Sequence, residues 1–89
     1  MTNKAIIKQL TGTPFHNELG IDLNVNGHNM GRGMYNLIVS IRDVKLFTIG
    51  MKPHRNWTLK DVKFYFGLVG GKGKCLEQLE AYKEFFTNN

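Results

Sequence analysis

A lone cysteine, Cys75, in a chain of 89 residues leaves no partner for an internal disulfide and suits a reducing compartment. Long apolar runs are missing as well. None approaches the roughly 18 residues of a membrane span, and no basic start leads into an apolar stretch as in a secretory signal. The expectation is a cytoplasmic protein with no membrane contact. Soft metal ligands are sparse: His16, His28, His54 and Cys75 are the candidates, and no two of them stand at metal-site spacing. No metal and no cofactor are expected. There is no nucleophile elbow, no His-x-x-x-His pair, and no Gly-Lys-Ser/Thr to complete a P-loop at the glycines near residue 70. These absences exclude the familiar catalytic constellations, name no catalytic residue, and point to a binding protein that is not an enzyme.

What the chain does hold is enough apolar residue, 42%, for one modest core, so residues 1–89 read as a single domain. The formal charge is +5, and its distribution is uneven. Residues 45–74 carry Lys45, Lys52, Arg55, Lys60, Lys63, Lys72 and Lys74 against Asp61 alone. Such a block suits an acidic partner, either nucleic acid or an acidic protein surface.

The chain is organised around a phrase that occurs twice. Ser40-Ile41-Arg42-Asp43-Val44-Lys45-Leu46-Phe47 runs on to Gly50, and Thr58-Leu59-Lys60-Asp61-Val62-Lys63-Phe64-Tyr65 to Gly67. Each copy opens with a hydroxyl residue followed three positions on by Asp, a capping-box-like start, and each closes on a glycine suited to a left-handed cap. The pattern predicts a repeat-like helical pair within 40–50 and 58–67. Arg42 and Lys45 of the first copy match Lys60 and Lys63 of the second, a basic stripe beside an apolar one, with Phe64 an exposed aromatic flanking Lys60.

Around this pair, Thr2 caps a short first helix at Asn3–Leu10, with Ile6, Ile7 and Leu10 as its apolar side. Thr13-Pro14 turns the chain. Ile21, Leu23 and Val25 alternate with polar residues and lead into Asn26-Gly27, a hairpin signal whose return strand falls near Met34–Val39. A final helix spans 74–86, with Cys75, Leu76, Leu79, Tyr82 and Phe86 inward. The expected class is α+β and mostly helical: a short N-terminal helix, a β-hairpin and three C-terminal helices.

The segment Lys52–Trp57 joins charge to the one tryptophan, which suits either a phosphate backbone with a base stacked on the ring or a Trp57 that packs just before the Thr58 cap. The run Val69-Gly70-Gly71-Lys72-Gly73-Lys74 resembles the Gly-x-x-Gly loop of KH domains, whose glycines let the backbone clamp a single strand. A KH fold needs a strand after the following helix, and no such residues come next, so a Gly-rich turn between helices is the reading taken. A helix-turn-helix is disfavoured because Glu77, Glu80 and Glu84 would face phosphates.

The stretch Arg42-Asp43-Val44, Gly50-Met51-Lys52-Pro53-His54-Arg55-Asn56-Trp57, Asp61 to Gly67 and Gly70 resembles small proteins encoded by tailed phages of marine cyanobacteria. That family has no established activity, so no residue role carries over. The resemblance implies a setting, a phage protein in the host bacterial cytoplasm, where many such proteins bind nucleic acid or modify a host machine. The expected function is nucleic-acid binding, RNA or single strand in preference to duplex. Lys52, Arg55, Lys60, Lys63, Lys72 and Lys74 would meet phosphates, Arg42 and Lys45 would extend the track, and Trp57 or Phe64 would stack. The rival is a phage inhibitor or adaptor that docks on a host protein through Leu46, Ile49 and Phe64. Self-association through that strip is a third expectation.

Overall fold

Thr2 opens the first helix, its hydroxyl accepting the Ala5 N–H at 3.1 Å. The computed structural model describes residues 2–19, 22–25 and 28–87. In it the chain forms α1 (Asn3–Leu10), α2 (Pro14–Glu18), α3 (Arg32–Thr48), α4 (Leu59–Phe66) and α5 (Lys72–Thr87). Between α2 and α3 lies a two-stranded antiparallel ribbon, Asp22–Val25 against His28–Gly31, with Asp22 opposite Gly31 and Val25 opposite His28.

The expected α+β class is corrected. The protein is a small helical domain, and its core among the described residues comes from the five helices and the loops between them. Met34–Val39, expected as a return strand, is the first half of α3. The β-branched cluster Ile38-Val39 favours a strand locally, but packing imposes the helical period. Gly33, Leu37, Ile41 and Val44 are buried while Ile38 is 43% exposed. The Asn26-Gly27 turn and Ile21 lie outside the described residues.

The repeat holds at its ends and fails at one start. Thr58 caps α4, its hydroxyl accepting the Asp61 N–H, and Gly67 closes that helix at φ 69° with Leu68 N–H returning to the Lys63 carbonyl at 2.9 Å. Gly50 likewise follows α3, where Met51 N–H reaches the Leu46 carbonyl at 2.9 Å. Ser40, however, sits in the middle of α3, and Asp43 is a buried carboxylate beside Arg42, so the first copy has no cap to form.

Thr13 also does more than turn the chain. Its hydroxyl accepts the His16 N–H and opens α2 with Pro14 in the first turn. That short helix delivers Phe15, fully buried, to the centre of the core, where its ring lies 4.9 Å from Phe66, 5.8 Å from Tyr82 and 5.7 Å from Phe86. Aromatic pairs of this kind add about 0.5–1.5 kcal/mol each beyond area burial. Ile7, expected inward, is half exposed, and α1 packs through Ile6 and Leu10 instead.

α5 runs antiparallel along α3. Lys72 at its start stands 5.6 Å over the Phe47 ring near the end of α3, and Thr87 at its finish shares a groove with Ile41.

Candidate nucleic-acid interface

α4 sorts its residues around one turn. Val62 and Phe66 point into the core, Lys60 and Phe64 stand on the crest facing solvent, and Lys63 occupies the flank nearest α5. Phe64 is 76% exposed, the most open of the large apolar side chains among the described residues. Lys63 lies close enough to Cys75, in the first turn of α5, for its charge to act on the thiol. Burial pushes that thiol up, and Lys63 opposes the shift. Cys75 is wholly enclosed, so it is a core residue and not a nucleophile.

The first turn of α5 contains no carboxylate. It holds Lys72 and Lys74 instead, placing positive charge at the positive end of the helix dipole, an arrangement that an anion would relieve. The Lys74 stem lies against Gly70, whose φ is 90°. A Cβ at that glycine would stand 2.8 Å from Lys74 Cδ. Lys72 and Trp57 share the Phe47 ring, at 5.6 and 5.0 Å, so the start of α5 is adjacent to the end of the 49–58 loop. Within that loop Lys52 Nζ donates to the Arg55 carbonyl at 3.2 Å.

No family model, no curated protein and no solved structure matches this chain.

Among the described residues the ion pairs are Arg32–Glu18 at 3.1 Å and Arg42–Asp43 at 3.2 Å. Among those residues, Lys52, Arg55, Lys60, Lys63, Lys72 and Lys74 therefore have no carboxylate partner. The other expected contacts are placed elsewhere. Arg42 is engaged by Asp43, although its side chain remains 70% exposed. Lys45 lines a groove with Glu80, Lys83 and Glu84 of α5. Trp57 is 7% exposed and packs on Phe47, so it offers no face to a base. Phe64 is left as the stacking candidate.

Two glutamines missing from the sequence reading hold the loop between α4 and α5. Gln78 donates to the carbonyls of Val69 and Lys74, both at 2.7 Å, and accepts the Val69 N–H at 3.2 Å. Gln9 of α1 donates to Gln78 Oε1 at 2.6 Å and to the Gly67 carbonyl at 2.9 Å. Nothing in the helical period distinguishes a buried glutamine from a solvated one. Only its position on the inward face, one residue before Leu79, hints at it.

No three His, Cys, Asp or Glu side chains come together among the described residues, and no helix there is long and apolar enough to cross a membrane.

Proposed function

We propose that this protein binds single-stranded nucleic acid or RNA through the surface formed by the α4 crest and the start of α5. The supporting observation is that Lys63 of α4 acts on Cys75 in the first turn of α5, where Lys72 and Lys74 stand with no carboxylate, while Phe64 is exposed on the α4 crest; among the described residues none of these lysines has a carboxylate partner. Lysines there neutralise phosphates, the helix end adds its dipole, and the phenyl ring accepts a stacked base. Lys52, Arg55 and Lys60 widen the track. The reading is one of binding and not catalysis, and it carries the setting implied by the phage resemblance, the bacterial cytoplasm.

Fluorescence-anisotropy titration against labelled single-stranded RNA, single-stranded DNA and duplex DNA tests it. Micromolar binding to single strands is expected. Four phosphate contacts would give a log–log salt slope of about −3. The double variant Lys63→Glu/Lys72→Glu is expected to abolish binding, and Phe64→Ala to weaken it by about 1–3 kcal/mol per stacked base. No binding at low salt would overturn the proposal.

The exposure of Ile49 (71%), Val69 (66%) and Met51 (56%) together with Phe64 favours a second reading, an adaptor docking on an acidic host protein. On that reading Phe64→Ala abolishes partner capture while nucleic acid makes no difference.

A further inference from the structure

Opposite the basic flank of α4, a trough of about 230 Å³ runs between α4 and α3. α3 contributes Asn36 and Asp43, α4 contributes Asp61 and Tyr65, and the floor is closed by Trp57 and Phe66. In a chain of charge +5, this trough holds two carboxylates and no basic side chain among its lining residues.

Asp43 is the unusual member. It is 8% exposed, and its Oδ1 accepts from Arg42 Nε and Nη2 at 3.3 and 3.2 Å, so the guanidinium engages only one oxygen. Its Oδ2 has no partner among the described residues. The Asp43 side chain keeps 12% of its surface accessible, and the residue lines the trough. Asp61 stands on the facing wall. Between them Asn36 donates its amide to the Tyr65 hydroxyl at 2.8 Å, which fixes the far end of the trough. Burial and the neighbouring Glu18 push the Tyr65 phenol up to about 12.

We propose that this trough receives an arginine side chain from a partner polypeptide. A planar guanidinium presents donors on two edges, which suits carboxylates on opposite walls, and its apolar stem suits an aromatic floor. The volume lies below the roughly 300–1,000 Å³ of drug-sized pockets and suits one long side chain. The trough also lies open between two helices rather than being enclosed, which lets a chain enter from the side. The inference is independent of nucleic-acid binding, because Asp61 and Lys63 occupy opposite flanks of α4.

The test is a 15N NMR titration of the full chain with the peptide acetyl-Gly-Arg-Gly-amide, run against the same peptide carrying citrulline. Saturable shifts are expected at the Asn36 side-chain amide, the Trp57 indole N–H and the Asp61 backbone, with none for citrulline. Asp61→Asn is expected to weaken binding about tenfold. This variant keeps the fold, since Asp61 contributes its backbone N–H to the Thr58 cap. Asp43→Asn serves as the second variant, read by the same shifts. Equal shifts from the citrulline peptide, an unaltered affinity in Asp61→Asn, or tighter binding of free spermidine than of the peptide would each overturn the proposal.

Discussion

Gln78 lies on the inward face of α5 with its amide nitrogen and oxygen both occupied, and the groups it satisfies belong to the loop that carries the basic surface. Truncating it leaves the Val69 N–H and carbonyl without their partner in a half-buried place, a loss of about 1–3 kcal/mol. Gln78→Ala is therefore expected to lower the melting temperature by several degrees, about 4–8 °C per kcal/mol for a domain of this size, as read by circular dichroism. It should also weaken nucleic-acid binding without removing any charge, since Lys72 and Lys74 follow the loop directly. The glycines divide in the same way, by what surrounds them. A Cβ on Gly33 would meet the Phe15 carbonyl at 3.1 Å and the Leu19 N at 3.2 Å, backbone atoms that have nowhere to go, because α3 crosses α2 there. Gly73 has open space around it and sits in α5. Urea melts should show Gly33→Ala destabilised by about 1–3 kcal/mol, and Gly73→Ala stabilised by about 0.5–1 kcal/mol.

At the scale of elements, what could be read from the sequence was set by how local the determining physics is. α4 is determined locally, since the Thr58 cap, the Asp61 position and the Gly67 stop all lie within one short segment, and its boundaries follow from them. α1 starts at its Thr2 cap for the same reason. α3 is not local. It begins at Gly31 with no side-chain cap and runs through a β-branched stretch, so its helicity depends on Leu37 and Ile41 finding the core. α2 was missed because Thr13-Pro14 signals a turn and a helix start equally well, and the choice rests on the burial of Phe15. Of the expected binding residues, Lys60, Lys63 and Phe64 stand on α4, and Lys72 and Lys74 in the first turn of α5. Arg42 is held by its next neighbour Asp43, and Lys45 lies in a groove against α5, a contact that the local sequence does not show.

For the whole molecule the aromatic centre sets an alkaline limit. Burial pushes the Tyr82 phenol, which donates to the Phe66 carbonyl at 2.9 Å, up to about 12, and Tyr65 is raised to about the same value. Both folded values lie above the unfolded value of about 10. The stability these groups contribute is thus complete below pH 10 and lost as pH rises from 10 through 12. Thermal melts across that window should fall steeply, and Tyr65→Phe, which removes one ionisation, should flatten part of the fall. Charge is arranged at this scale too: on α4, Lys63 stands on one flank and Asp61 on the other.

Cys75 has a practical consequence of its own. Fully enclosed and with its thiolate disfavoured, it will ignore maleimides while the domain is folded. A cysteine introduced at exposed Lys52 or Asn56 would then be the single addressable thiol, so a fluorophore or spin label can be attached at one chosen point without first removing the natural residue.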